Sequence, residues 1–310
     1  MFDEGIRHYI NRCEEEDVFT ETQPTDLTSL RQKYLRICEE FSIPHPPGLK
    51  VWDDTIRAGS QDVAIRVFAP SRKRPPLLVF FHGGGWMYGN LDSHDSLTSG
   101  LAAAGDFMVI AVDYRLAPEH PYPAPFDDAW NSLAAIMADA DRLGFDSDRV
   151  GVAGDSGGGN LAAGVALKAR DLGAPKLCCQ VLLYPALTTD FTAPSYTERA
   201  VVPLLTTEEV KFCWRTYLDD QFDTPTDYAA PLQAQSFENL PPAFVVGCEY
   251  DPLRDDAKAY VERLRQSGVP AELRHEPRLI HGYMRARAIS PAAAASFDAT
   301  VMASKRLLGA

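Results

Sequence analysis

A serine flanked by glycines is the residue of this chain whose surroundings best suit nucleophilic chemistry. Residues 154–158 have the form G-x-S-x-G, with Ser156 at the centre. The apolar residues 149–153 predict a strand before it, and residues 158–172 predict a helix after it. A serine at a tight strand-to-helix turn has an exposed hydroxyl, and small residues on either side allow that turn. A glycine-rich turn with an inert surface serine is the alternative, so the rest of the chain must supply partners.

A second glycine-rich segment, residues 82–86 (HGGGW), is a candidate source of backbone hydrogen-bond donors. It follows residues 77–81, an apolar run typical of a strand that is buried on both faces. Three successive glycines allow backbone N–H groups to point at a developing negative charge without obstruction by side chains. A phosphate-binding loop fits less well, because neither a following Lys-Ser/Thr pair nor a G-x-G-x-x-G pattern is present here. A merely flexible loop is the simpler alternative.

Three motifs together resemble the hormone-sensitive lipase-like family of α/β-hydrolases. They are residues 82–86 (HGGGW), residues 113–120 (DYRLAPEH, followed by PYPA) and residues 154–160 (GDSGGGN). The resemblance extends from about Val51 to the C-terminus. It implies the α/β-hydrolase fold, with a mostly parallel eight-stranded sheet flanked by helices and a helical cap. It also implies a serine carboxylesterase that acts on a small-molecule ester and needs no cofactor.

The family implies a catalytic triad in the chain order serine, acid, histidine. Only two histidines, His275 and His281, follow Ser156. His275 lies in the strand-like residues 271–275, whereas His281 lies in the loop beyond them. We predict that His281 is the base, because a loop at the end of a terminal strand is where a mobile base belongs.

The acid is expected just after the preceding strand, residues 243–248. Asp251 matches the Asp-Pro-Leu pattern of the family. Glu249, Asp255 and Asp256 are the alternatives, which would otherwise only interact favourably with a helix N-terminus.

These residues imply a division of roles. Ser156 would attack the acyl carbonyl, His281 would move the proton, and Asp251 would hold the imidazole. The backbone N–H groups of Gly83, Gly84 and Gly157 are predicted to stabilise the oxyanion. The family usually has alanine after the serine, but the N–H of Gly157 serves equally well.

Neighbouring motif residues are predicted to support this site. We expect His82 to orient the glycine loop and Asp155 to brace it. The residues expected to brace the loop beneath are Asp113, Arg115, Pro118 and Glu119.

The rest of the chain predicts an alternating α/β domain with two additions. Helices are expected over residues 4–16 and 26–41, a hairpin over 51–57 and 63–69, and strands over 107–112 and 178–184. Further helices are expected over 126–143, 254–267 and 291–308. We therefore predict a helical cap segment at 1–48, a catalytic domain at 49–186 and 241–310, and a cap insertion at 187–240 with a helix at 207–218.

Several aromatic side chains could enclose a compact pocket, which predicts a preference for short acyl chains. Each of them is also an ordinary candidate for the core. The predicted pocket residues are Trp86, Tyr88, Phe212, Trp214 and Tyr283.

Composition excludes several other classes of protein. The 310 residues carry a formal net charge of −13, which argues against nucleic acid and anionic membranes as partners. No N-terminal signal and no apolar run long enough to cross a bilayer is visible, and the six cysteines include no C-x-x-C. We expect a cytoplasmic protein with reduced, mostly buried thiols and no metal site. Because members of this family are often dimers, a homodimer is an open expectation.

Two rival functions use the same fold. An arylformamidase-like or other activated amide hydrolase, or an acyl transferase, would need the same apparatus. A non-catalytic small-molecule receptor would lack the histidine of the triad, and here Ser156, Asp251 and His281 are all present.

Overall fold

Strands and helices alternate along most of the chain. The computed structural model describes residues 1–18 and 26–310, so the predicted cap segment 1–48 includes seven residues, 19–25, outside the described ranges. The strands of the described residues are β1 (Lys50–Ala58), β2 (Gln61–Ala69), β3 (Leu77–Phe81), β4 (Met108–Val112), β5 (Val150–Asp155), β6 (Cys179–Leu183), β7 (Val201–Val202), β8 (Leu205–Thr206), β9 (Ala243–Tyr250) and β10 (Ala271–Ile280). The helices are α1 (Glu4–Glu15), α2 (Leu27–Glu40), α3 (Leu91–Gly105), α4 (Ala124–Ala138), α5 (Ala140–Leu143), α6 (Gly157–Leu172), α7 (Ser195–Glu198), α8 (Thr207–Leu218), α9 (Arg254–Gln266) and α10 (Pro291–Leu308).

Eight of these strands form one sheet in the order β1-β2-β4-β3-β5-β6-β9-β10. The first two strands pair antiparallel, as does β2 with β4, and the remaining neighbours are parallel. This confirms the predicted mostly parallel sheet and hairpin. Because β3 and β5 are neighbours with Phe81 opposite Gly154, the glycine loop and Ser156 emerge side by side.

The central strands are apolar throughout because both faces of the sheet are covered. Leu77, Val79 and Phe81 point into one core, while Leu78 and Phe80 point into the other. Helices α4, α6, α8 and α9 contribute to the first core, and α1, α2, α3 and α10 lie on the opposite face. This two-sided burial explains why continuous hydrophobic runs predicted these strands correctly.

Helix α1 packs directly on the chain that follows His281. The Asp3 side chain caps α1 by accepting a hydrogen bond from Ile6 N at 2.9 Å, and its other oxygen accepts one from Ser290 Oγ at 2.6 Å. Gly5 faces Ile289 so closely that a Cβ there would lie 2.1 Å from the Ile289 carbonyl oxygen. The N-terminal helix therefore fixes the backbone beside the 3₁₀ segment Tyr283–Ala288.

Three elements differ from the sequence expectation. The helix α3 was not predicted; Asn90 and Ser93 form a reciprocal capping box at its start, although Ser replaces the Glu or Gln that usually marks one. The helix predicted over 126–143 is interrupted at Asp139, where α4 ends and α5 begins. Strand β10 runs on to Ile280, past a break in register after Glu276, so His281 follows the strand immediately.

None of the helices within the described ranges is both long and apolar enough to span a bilayer.

The contact between α1 and Ile289 predicts the effect of a single methyl group. We expect Gly5→Ala to lower the free energy of unfolding by about 1–3 kcal/mol, because the backbone at Ile289 must move to admit the Cβ. Chemical denaturation measures the change. Arg7→Ala, at an exposed position of the same helix, is the matched control and should stay within about 0.5 kcal/mol of wild type. Equal stability of all three proteins would contradict this packing of α1.

Candidate active site

Ser156 lies on a strained turn between β5 and α6. Its backbone has φ 55° and ψ −121°, a conformation that residues other than glycine seldom adopt. A Cβ at Gly154 would lie 2.2 Å from Gly158 O, and a Cβ at Gly158 would lie 2.0 Å from Phe81 O. Glycines two residues before and after the serine therefore make this turn possible, and Ser156 N donates to Leu183 O at 2.8 Å.

The structure brings Ser156, His281 and Asp251 into one hydrogen-bonded chain. Ser156 Oγ lies 2.8 Å from His281 Nε2, and His281 Nδ1 lies 2.8 Å from Asp251 Oδ2. Because a carboxylate only accepts, Nδ1 carries the proton and Nε2 is free to accept one from the serine. Asp251 is fully buried, and its second oxygen accepts a hydrogen bond from Leu253 N at 2.8 Å.

The alternative acids and the alternative base have other partners. Glu249 pairs with Arg199, and its other oxygen lies 3.2 Å from Nε2 of the half-exposed His275. Asp255 pairs with Arg254, and Asp256 accepts hydrogen bonds from Leu187 N and the Tyr196 hydroxyl. None of these four side chains contacts Ser156 or His281.

The glycine loop differs from the predicted donor set at one position. Gly83 N donates to Asp155 Oδ1 at 2.8 Å, so its only N–H is already used and the prediction that Gly83 serves an oxyanion is wrong. Gly84, Gly85 and Gly157 line the cavity beside Ser156, and within the described part of the chain no acceptor binds their N–H groups. In a run of three glycines, no local signal separates Gly83 from Gly85.

Asp155 is a buried carboxylate that carries its charge. Burial opposes ionisation, but His94, Arg285 and the Gly83 N–H together outweigh it and lower the pKa of Asp155 to about 2. The His94 ring lies 3.2 Å from the carboxylate. Asp155 therefore braces the glycine loop electrostatically as well as by a hydrogen bond, in the position the sequence predicted.

His82 supports the glycine loop and is not a second base. Burial and the nearby His94 lower the pKa of His82 to about 3, so the imidazole is neutral at physiological pH. Its Nδ1 lies 2.9 Å from Gly83 O, and its ring stacks on Tyr114 with centroids 4.3 Å apart.

The neighbouring motif, residues 113–120, supports the same loop from below. Ala117 N donates to Trp86 O at 2.9 Å. Arg115 binds both oxygens of Asp128 on α4, and Glu119 binds Arg31 on α2. The motif thereby links the glycine loop to helices on both sides of the sheet.

A cavity of about 100 Å³ opens over Ser156 and His281. Four of the five predicted pocket aromatics line it: Trp86, Tyr88, Phe212 and Trp214. Tyr283 does not, so that prediction is wrong; its ring is fully buried and its hydroxyl bonds to Ser296 Oγ on α10. Its place only two residues after His281 suggested a pocket role, but the 3₁₀ turn directs the side chain into the core.

Both sequence additions contribute to the wall of this cavity, together with residues that sequence reasoning did not select. These residues are Tyr9, Tyr34, Leu204, Leu205 and Arg285, none of which belongs to a motif. Whether these side chains reach the cavity depends on how α1, α2 and α8 dock on the sheet, and local sequence patterns do not encode that docking.

Within residues 1–18 and 26–310, no cluster of histidine, cysteine and carboxylate side chains has the arrangement of a metal site. All six cysteines are described and unpaired, and four of them are buried.

The charge on Asp155 predicts a pH-dependent contribution to stability. A folded-state pKa of about 2, below the ordinary 3.8, stabilises the fold above about pH 4, and this contribution disappears as the pH falls toward 2. We expect Asp155→Asn to lower the free energy of unfolding by roughly 2 kcal/mol at neutral pH, and by progressively less below pH 4.

Denaturant titrations at several pH values measure this difference. Asp298→Asn, at an exposed position on α10, is the control and should show no pH-dependent difference. A deficit for Asp155→Asn that is constant from neutral pH to pH 3 would contradict the charge assignment.

Comparison with known proteins agrees with this architecture. The family model described as "alpha/beta hydrolase fold" matches residues 78–285. Carboxylesterase NlhH of Mycobacterium tuberculosis is 39% identical over 300 residues, which cover 94% of this chain and 92% of that protein. Esterase LipI of the same organism is 38% identical over 255 residues, covering 81% and 80%.

A solved structure gives the same result for the fold. An ester hydrolase from the Lake Arreo metagenome superposes with a TM-score of 0.92 at 29% identity, over 100% of both chains. The chain therefore belongs to the hormone-sensitive lipase-like family of α/β-hydrolases, and it is a carboxylic ester hydrolase.

Proposed function

We propose that this protein is a serine esterase that hydrolyses short-chain acyl esters through an acyl-enzyme on Ser156. The observation that carries the proposal is the hydrogen-bonded chain from Ser156 through His281 to Asp251, with both contacts at 2.8 Å. A serine hydroxyl is a weak nucleophile until a base accepts its proton, and this chain supplies the base and the group that orients it.

Acylation begins when Ser156 Oγ attacks the ester carbonyl carbon and its proton passes to His281 Nε2. The imidazolium that forms is stabilised by the buried Asp251 carboxylate. The carbonyl oxygen becomes an oxyanion, and the N–H groups of the cavity-lining residues Gly84, Gly85 and Gly157 are proposed to bind it. When the tetrahedral intermediate collapses, His281 gives the proton to the leaving alcohol.

Deacylation repeats these steps with water as the nucleophile. His281 accepts a proton from the water, and the hydroxide attacks the acyl carbon bound to Ser156. The same N–H groups stabilise the second oxyanion, and the proton returns to Ser156 as the carboxylic acid leaves.

Activated amides as substrates, and alcohols as acyl acceptors, could use the same catalytic residues. A substrate panel with product analysis should therefore include both.

The two predicted cap segments, residues 1–48 and 187–240, are proposed to select the substrate. Both contribute side chains to the cavity wall, among them Tyr34 from α2 and Phe212 from α8. A cavity of about 100 Å³ with mostly apolar walls suits a short acyl chain better than a long one.

A cytoplasmic location of the protein and its assembly as a homodimer stay predictions.

Replacement of the proposed nucleophile is the direct test of this function. We expect Ser156→Ala to lower kcat for p-nitrophenyl butyrate by at least about 1,000-fold, because no acyl-enzyme can form. Ser132→Ala is the matched control: Ser132 is buried in α4 and its hydroxyl has no partner within the described residues. Turnover by Ser156→Ala at the wild-type rate would disprove the proposal.

Acyl-chain preference tests the role of the cavity separately. We expect kcat/KM to be highest for acetate, butyrate or hexanoate esters of p-nitrophenol, and at least about 10-fold lower for laurate, since the enclosed volume is small. Phe212→Ala, which shortens a side chain of the wall, should shift the optimum toward longer chains. Tyr283→Phe should not, because that ring lies outside the cavity. Faster cleavage of laurate by the wild type would refute the short-chain proposal.

A further inference from the structure

An arginine lies in the wall of the same cavity as the proposed nucleophile. Arg285 belongs to the 3₁₀ segment Tyr283–Ala288, four positions after His281, and its side chain is partly accessible from the cavity. Hydrolysis of a neutral ester by Ser156, His281 and Asp251 does not use this cation. Its one role described above is to help to lower the pKa of Asp155.

Among the described residues, no carboxylate is a hydrogen-bond partner of the Arg285 guanidinium. Its Nε donates to Cys38 Sγ at 3.2 Å, and its Nη2 donates to the Tyr34 hydroxyl and lies 3.1 Å from His94 Nε2. The guanidinium also lies 5.0 Å from the centroid of the Tyr34 ring. Across the described ranges, no carboxylate lies within 4.0 Å of this side chain, and its Nη1 has no hydrogen-bond acceptor.

The nearby negative charge is already engaged by other groups. Asp155 lies more than 4.0 Å from the guanidinium, accepts the hydrogen bond from Gly83 N, and contacts His94. Burial lowers the pKa of the His94 imidazole. Asp155 thus offsets part of the Arg285 charge through space, but Nη1 still has no acceptor among the described residues.

A second arginine increases the local positive charge. Arg287 binds the Ser96 carbonyl at 2.6 Å and has no carboxylate within 4.0 Å among the described residues. Burial and repulsion from Arg285 lower the pKa of Arg287 to about 10, so it remains charged at neutral pH. Two neighbouring positive charges, on Arg285 and Arg287, therefore have no carboxylate within 4.0 Å among the described residues.

We propose that Arg285 binds a carboxylate on the substrate, so that the preferred esters carry a second, anionic group on their acyl or alcohol part. This inference rests on the proposed esterase function. The Nη1 group has no acceptor among the described residues and can donate a charge-assisted hydrogen bond to a carboxylate oxygen, and a partly buried cation without an anion is costly until such a partner arrives. The rings of Tyr9 and Tyr34 line the same cavity and can pack against the carbon chain between the two groups.

Two pairs of substrates test the proposal and distinguish the two positions of the carboxylate. Monoethyl glutarate against ethyl pentanoate places the charge on the acyl part, and para-acetoxybenzoate against phenyl acetate places it on the alcohol part. For each pair, the measured quantity is the ratio of kcat/KM for the charged ester to kcat/KM for the neutral one. A general defect in folding or in catalysis lowers both members of a pair and leaves the ratio unchanged.

We expect Arg285→Gln to lower this ratio by about 10- to 100-fold for at least one pair, as loss of a charge-assisted hydrogen bond requires. Arg285→Lys should lower it less, because the ammonium keeps the charge but not the paired donors. Arg287→Gln is the matched control, since that side chain does not line the cavity, and its ratio should stay within about 2-fold of wild type. If Arg285→Gln does not fold, as judged by circular dichroism, the lysine variant carries the test.

The outcomes separate this inference from the function on which it rests. The carboxylate site is overturned if Ser156-dependent hydrolysis of neutral esters is seen but Arg285→Gln or Arg285→Lys leaves the ratio unchanged in both pairs. The proposed esterase function would stand in that case. Equal changes for Arg285→Gln and Arg287→Gln also overturn it, because they indicate a diffuse field and no specific contact. Ester hydrolysis that persists in Ser156→Ala contradicts the proposed function itself.

Discussion

The hydrogen bond from Gly83 N to Asp155 Oδ1 is the contact on which the geometry of the candidate site depends. It joins the loop after β3 to the residue immediately before Ser156, across two neighbouring strands. Because Gly83 is held in this way, Gly84 and Gly85 follow in backbone conformations with φ of 120° and 58°, which favour glycine. Both residues line the cavity, and no acceptor among the described residues binds their N–H groups. One buried carboxylate thereby organises both the donor loop and the turn that carries the serine.

The sheet brings the remaining site residues together at one edge. Strands β3, β5, β9 and β10 end at the same edge, since they run parallel within one sheet. The loops after them carry the glycines, Ser156, Asp251 and His281 in that order. The backbone after His281 is fixed in turn by α1 through Asp3 and Gly5. Helix α1 therefore holds the backbone beside the 3₁₀ segment that carries Arg285, and its Tyr9 lines the cavity.

The sequence alone predicted those features that short-range chemistry determines. Ser156 was selected from its predicted strand-to-helix turn, whereas Asp251 and His281 were selected with the triad order and the Asp-Pro-Leu pattern of the family that the chain resembles. The buried strands were found because both their faces are apolar. The errors concern contacts between distant segments. Gly83 and Gly85 are equivalent in a run of glycines until Asp155 binds one of them, and Tyr283 is adjacent to the site in sequence but turned into the core. Arg285 was not selected, because its setting is created only when α2 docks beside it.

The most direct test of the account is the structure of the enzyme after reaction with an acyl phosphonate. The account predicts a covalent bond from phosphorus to Ser156 Oγ, with the phosphoryl oxygen about 3 Å from the backbone nitrogens of Gly84, Gly85 and Gly157. Gly83 N should remain bonded to Asp155. Reaction at a different residue, or a phosphoryl oxygen bound by Gly83 N after the Asp155 contact has broken, would contradict the central claim.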